Sequence, residues 1–180
     1  LHLLLQEVVR AGDLVVDATA GNGYDTVFLA EAVGASGKVV AMDLQSEAIQ
    51  ATRDRLLEKG MEERVELHQV SHVELGKLIS PEKASAIVFN LGYLPGSDHS
   101  VITERDSTLV ALGESVLALK PGGVLAVVCY PGHEGGHTEA EAVENFLRDL
   151  GSFRLAKYQM LFTKSAAPFL LIASKRSENS

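Results

Sequence analysis

The segment Asp17-Ala18-Thr19-Ala20-Gly21-Asn22-Gly23 sets an acidic side chain just ahead of a glycine pair. Glycines let a backbone turn sharply and approach a ligand closely, and a helix starting beyond them offers free N–H groups. A second carboxylate, Asp43, follows 20 residues after Gly23. At that interval an acidic side chain is placed to accept hydrogen bonds from ribose hydroxyls. The chemistry these types and spacings suit is the grip on a nucleoside-bearing cofactor.

Two cofactor classes compete for such a turn. A dinucleotide site wants a third glycine, and Thr26 stands in its place. Asp17 would repel a pyrophosphate but could meet a positive ammonium. Both details favour S-adenosylmethionine over NAD. The cofactor-binding candidates are Asp17, Gly21, Asn22, Gly23, Asp25, Asp43, Gln45, Ser71, His72 and Asn90. Asp25 is also explained by a favourable charge in a first helical turn. Ser71 and His72 follow the third strand-like run, a position similar to the one where many methyltransferases contact adenine.

A second group of residues could act on a methyl acceptor. Asn90-Leu91-Gly92-Tyr93-Leu94-Pro95-Gly96 follows an apolar run, and it is similar to the Asn-Pro-Pro-Tyr type motif of amine-directed methyltransferases. Methyl transfer from a sulfonium is an in-line displacement, so a neutral nucleophile must be held beside the methyl group. The Asn90 amide could align an amine without consuming its lone pair, and Tyr93 could stack on a base. Asn90 and Tyr93 are the catalytic candidates; Tyr93, Pro95, Tyr130 and His133 are the acceptor-binding ones. Asp98, His99 and His133 all remain open as groups that could help an ammonium lose its proton.

Two further patterns point elsewhere and are discounted. Residues 133–137 spell His-Glu-x-x-His, but a zinc site needs both histidines on one helix. Gly135 and Gly136 between them, with Pro131-Gly132 just before, argue for a loop, and no metal site is expected. Cys129 would be needed for covalent attack on a pyrimidine, yet nothing around it suggests an activated thiolate.

Positioning these groups requires strands that end beside one another. Short apolar runs at Leu14–Ala18, Lys38–Asp43, Val65–Gln69, Ala84–Phe89 and Val124–Val128 alternate with helical patterns. The helical stretches are Thr26–Val33, a segment opened by Ser46 as cap and closed by Gly60, and segments near Ser107–Leu119 and Thr138–Leu150. Such alternation gives a parallel sheet covered on both faces. Phe153–Phe162 and Phe169–Ser174 break the rule, because only a short loop joins them. The expected fold is therefore α/β and Rossmann-like: a seven-stranded, mostly parallel sheet with a C-terminal antiparallel hairpin. Residues 1–180 read as a single domain.

Composition narrows the class. A net charge of −8 weighs against broad, non-specific nucleic-acid binding, while leaving room for a structured RNA held at a local patch. Lys157, Lys164, Lys175 and Arg176 could hold phosphates, although each taken singly suits solvated surface. One cysteine excludes an internal disulfide and fits a reducing, cytoplasmic setting. No apolar run is long enough for a membrane span. The first residue is Leu1, which leaves room for a native start before it; Leu1–Leu5 reads as the end of an amphipathic helix.

Taken together, the stretch Val15–Thr26, Asp43, Ser71-His72, Asn90–Pro95 and Tyr130–His133 resembles the bacterial rRNA-methylase-like family of class I S-adenosylmethionine-dependent methyltransferases. Members resembling it methylate the 5-aminomethyl group of wobble 2-thiouridine in tRNA. The resemblance implies S-adenosylmethionine contacts at Asn22, Asp43, Gln45, Ser71 and His72. It also implies N-methylation of an exocyclic amine, a tRNA anticodon region as partner, and room for a homodimer. Methylation of rRNA or a small amine, and non-catalytic nucleotide binding, are the competing readings.

Overall fold

The computed structural model describes residues 1–92, 105–133, 135–161 and 166–177. Strands β1 (Leu14–Asp17), β2 (Lys38–Asp43), β3 (Val65–Gln69), β4 (Ala84–Asn90), β5 (Leu119–Cys129), β6 (Phe153–Gln159) and β7 (Phe169–Lys175) form one sheet. Its order is β3-β2-β1-β4-β5-β7-β6. The β1–β2, β2–β3, β1–β4 and β4–β5 pairs are parallel, while β7 runs antiparallel to both β5 and β6. The Rossmann-like sheet with its terminal antiparallel hairpin is the one read from the sequence.

The β-strand period of two divides the core between the sheet's faces. Val15, Val39, Ala41 and Val88 point to one side, where they meet α1 (His2–Gln6), α2 (Tyr24–Val33) and α3 (Ser46–Lys59). Val16, Val40, Met42, Ile87 and Phe89 point to the other, against α4 (Leu75–Leu78), α5 (Arg105–Ala118) and α6 (Gly136–Arg148). Phe89, Met42 and Ile87 are wholly buried. At roughly 1.5–3 kcal/mol per buried large side chain, this two-sided burial is what fixes the register, since a one-residue slip would exchange the faces.

Strand order reverses between β1 and β4. Ligands in open α/β sheets bind beyond the carboxyl ends of the strands at such a switch. Asp17, Asp43 and Asn90 are the last residues of β1, β2 and β4, so the topology gathers them at one edge.

Several local expectations shift. Ser46 is the first residue of α3 and not its cap; Gln45 holds the cap position in extended backbone, and Ser46 Oγ donates to Glu47. Ile49, Thr52 and Leu56 form the buried face of α3, whereas Leu57 is turned to solvent. Strand β5 starts earlier than its apolar run, at Leu119, with a register irregularity opposite Ala84–Ala86 that admits Pro121 and two glycines. Among the described residues no helix is long and apolar enough to cross a membrane.

Candidate active site

The glycine turn is held from three directions. Asp43 accepts from Gly21 N–H and Gln45 N–H, both at 2.9 Å, so its carboxylate ties the turn to the start of α3. Each oxygen keeps a lone pair for a further donor. From α3, Thr52 Oγ1 donates to the Gly21 carbonyl at 3.0 Å, and Arg55 Nε to the Asn22 carbonyl at 2.8 Å. The Arg55 guanidinium lies over the Tyr24 ring, 3.9 Å from its centre. Gly23 has φ +78°, and a Cβ there would come within 2.8 Å of the Thr52 backbone. Glycine is thus demanded twice, by backbone conformation and by the approach of α3.

Asp17 has a different first task from the ammonium contact expected of it. It is 1% exposed, and its carboxylate accepts from Thr26 Oγ1 at 2.6 Å and Thr19 N–H at 3.3 Å. The side chain therefore braces the turn against the first helical turn from beneath. Burial pushes its pKa up to about 7, against the Thr26 hydrogen bond, with the charges of Asp25 and Asp43 adding to the rise. Thr26 is where a dinucleotide site would carry glycine, and its hydroxyl is what satisfies this buried acid.

On the β2–β3 side, Ser71 caps a 3-10 turn (His72–Glu74), its Oγ accepting from Val73 N–H. His72 packs edge-on to Phe89 and hydrogen-bonds the backbone of Ser107. Its Nε2 is buried without a hydrogen-bond partner among the described residues. Desolvation holds the imidazole below its ordinary pKa, against the pull of Asp43. A neutral ring with one orphaned nitrogen suits a hydrogen bond to an uncharged heterocycle.

Asn90 connects the turn to the opposite side. Its backbone N–H donates to Thr19 Oγ1 at 2.6 Å. Its Nδ2 donates to Asp25 Oδ2 at 2.7 Å, and its Oδ1 accepts from Tyr130 OH at 3.0 Å. A carboxylate can only accept, so Asp25 fixes which end of the Asn90 amide faces Tyr130. Beyond Asn90 opens a cavity of about 660 Å³, whose lining includes Asp25, Asn90, Tyr130, Tyr158, Gln159 and Phe169. That volume lies within the range of small-ligand sites. His133 and Tyr130 both lie 3.7 Å from the position a Cβ would take on Gly92, so the loop after β5 is seated on the end of β4.

The remaining expectations divide. Tyr93, Pro95, Asp98, His99 and Lys164 lie outside the described residues. Helix α6 starts at Gly136, after a left-handed Gly135, so His133 and His137 do not share a helix. Cys129 is 1% exposed, and burial raises its thiol to about 12. It is an inert core group. Lys175 donates to the Leu119 and Val116 carbonyls, and the antiparallel sense of β7 carries it and Arg176 to the far end of the sheet. Lys157 pairs with Glu144 at 2.7 Å and stacks over Phe169. Thr19, Thr52, Arg55, Tyr158 and Gln159 were missed. Thr19 lay inside the turn motif, but the others carry no spacing signal and are brought in only by packing.

The comparisons agree with this geometry. A family model described as "Putative rRNA methylase" matches residues 39–174. A tRNA (mnm(5)s(2)U34)-methyltransferase, chloroplastic, from Arabidopsis thaliana is 40% identical over 97% of this chain and 68% of its own length. A crystal structure of a "putative rRNA-methylase" from Clostridium thermocellum superposes with TM-score 0.93 at 38% identity, covering 97% of this chain and 94% of that one. A methyltransferase from Streptococcus mutans, solved with S-adenosylhomocysteine, gives TM-score 0.88 at 36% identity, with 97% and 94% coverage. The Asp43 carboxylate, the glycine turn and the orphaned His72 Nε2 fit the ribose, methionine and adenine parts of that cofactor. The chain belongs to the rRNA-methylase family and is an S-adenosylmethionine-dependent methyltransferase.

Proposed function

We propose that this methyltransferase N-methylates the 5-aminomethyl group of wobble 2-thiouridine in tRNA. The observation that carries the reading is the placement of Asn90. Its backbone is tied to the cofactor turn through Thr19, while its amide, oriented by Asp25 and Tyr130, borders the cavity. S-adenosylmethionine supplies an electrophilic methyl group on a sulfonium. The chain's part is to hold a nucleophilic nitrogen in line with it, and effective alignment can be worth roughly 7–11 kcal/mol of barrier. The Asn90 Oδ1 retains one lone pair for an N–H donor, and the Tyr130 ring at the cavity wall offers a face for a base. The 40% identity to a protein named for mnm(5)s(2)U34 in tRNA supports this substrate over the other amines the cavity would admit.

Transfer of a radiolabelled methyl group to hypomodified tRNA, rRNA and metabolite fractions, followed by nucleoside mass spectrometry, tests the reading. Label in the 5-methylaminomethyl-2-thiouridine nucleoside is expected. Label confined to rRNA or to a small amine would replace it. Asn90→Ala is expected to lower turnover at least tenfold with little change in cofactor affinity, and an unchanged rate would remove Asn90 from the mechanism.

A further inference from the structure

Asp25 occupies the first turn of α2 and lines the cavity beyond Asn90. Its Oδ1 lies 2.6 Å from His2 Nε2 and its Oδ2 accepts from Asn90 Nδ2. The His2 ring is stacked flat on Phe28, with centres 3.9 Å apart and planes within 3°, so the imidazole is held in place by packing from α2 itself. Four side chains, His2, Asp25, Asn90 and Tyr130, thus form one hydrogen-bonded row, of which Asp25, Asn90 and Tyr130 line the cavity.

The charge in that row is uncompensated by any lysine or arginine recorded among the described residues. Lys157, the basic side chain lining the same cavity, is committed to Glu144 and to the Phe169 ring. After burial, the Asp25 charge also helps to raise the pKa of two neighbours, the Asp17 carboxyl and the Tyr130 phenol. Asp25 already receives the His2 ring and the Asn90 amide, and it shares the cavity lining with the apolar Val128 and Leu170, so the cavity presents a carboxylate that favours a cationic group over a neutral one. A methyl group in that position offers the carboxylate nothing, and a hydroxyl only a hydrogen bond without the opposite charge.

The cavity that Asp25 lines is built from the ends of β4 and β5 and from the β6–β7 hairpin, and neither Asp43, Gln45, Ser71 nor His72 lines it. That separates it from the adenosine side of the site. We infer that Asp25, held by His2, is the specificity carboxylate of the acceptor site. It reads the positive charge of an ammonium on the acceptor and so selects an aminomethyl group over a neutral substituent of the same size. This rests on the N-methylation reading and adds to it the group that recognises the amine before its proton is lost.

The test is binding as well as turnover. Anticodon stem-loops carrying 5-aminomethyluridine or 5-hydroxymethyluridine are titrated at pH 7 into protein saturated with S-adenosylhomocysteine. The wild-type protein is expected to prefer the aminomethyl form by roughly tenfold or more, as suits a charge-assisted hydrogen bond. Asp25→Asn should abolish the preference while leaving the hydroxymethyl affinity within about twofold. Asp25→Glu, which keeps the charge, should restore part of it and guards against a merely misfolded variant. An Asp25→Asn protein that keeps the preference overturns the assignment. So does one that loses S-adenosylhomocysteine affinity with the preference intact, which would move the carboxylate to the cofactor. A wild-type protein that neither prefers nor methylates the amine fails at the earlier reading instead.

Discussion

Two carboxylates end neighbouring strands and serve the same glycine turn, but their surroundings give them opposite characters. Asp43 is half-exposed and bound by two backbone N–H groups. Asp17 is sealed beneath the turn, with its pKa raised to about 7 chiefly by burial. Because the folded pKa lies above the ordinary 3.8, the folded protein binds this proton more tightly than the unfolded chain. Its stabilising contribution is therefore complete below about pH 4 and is lost as pH rises through 7. Thermal melts of Asp17→Asn should show the variant gaining on the wild type from about pH 4 to pH 7, then levelling. Parallel profiles would refute the burial of a titrating acid. At Cys129 the same burial acts on a thiol, raised to about 12. Iodoacetamide at pH 8 should leave the native protein unlabelled, and Cys129→Ala should retain turnover; rapid labelling would show an accessible thiolate.

At the scale of elements, the direction of β7 decides what its cations can do. By residue type Lys175 is one of the cations that could hold phosphates. Antiparallel pairing with β5 sets Ser174 opposite Val124, at the far end from Asn90. There Lys175 Nζ donates to two carbonyls at the junction of α5 and β5, at 2.7 and 3.3 Å, and lies 3.6 Å from Glu82. Removing it leaves part-buried carbonyls short of a donor, which costs about 1–3 kcal/mol. Lys175→Ala should lower the melting temperature by about 2–10 °C in a chain of this size. Its affinity for tRNA, and the salt dependence of that affinity, should not move; a shallower salt slope would return Lys175 to the phosphates.

At the scale of the molecule, the site is shared by elements that are distant in sequence. The turn after β1, the carboxylate of β2, His72 after β3 and Asn90 of β4 meet at one sheet edge. A ligand touching all of them binds only the folded chain. S-adenosylhomocysteine at a hundredfold over its dissociation constant should therefore add about 2.7 kcal/mol to stability. That corresponds to roughly 5–10 °C in melting temperature. NAD at the same concentration should give no shift, and the reverse pattern would restore the dinucleotide reading.

The amino-acid sequence by itself determined the sheet, because alternating strand and helix periods leave few topologies and both faces had apolar residues to bury. It also determined the cofactor turn, where Gly21, Gly23, Thr26 and Asp43 are close enough in sequence for spacing to carry chemistry. Tertiary structure alone decided which carboxylate does what. Burial depends on neighbours from every layer, and so Asp17 became a brace beneath the turn and Asp25 part of the wall of the cavity beyond Asn90. It alone also brought His2, Thr52, Arg55 and Tyr158 to the site. Their distance from it along the chain is closed by helix packing and by the terminal hairpin, and neither leaves a local pattern to read.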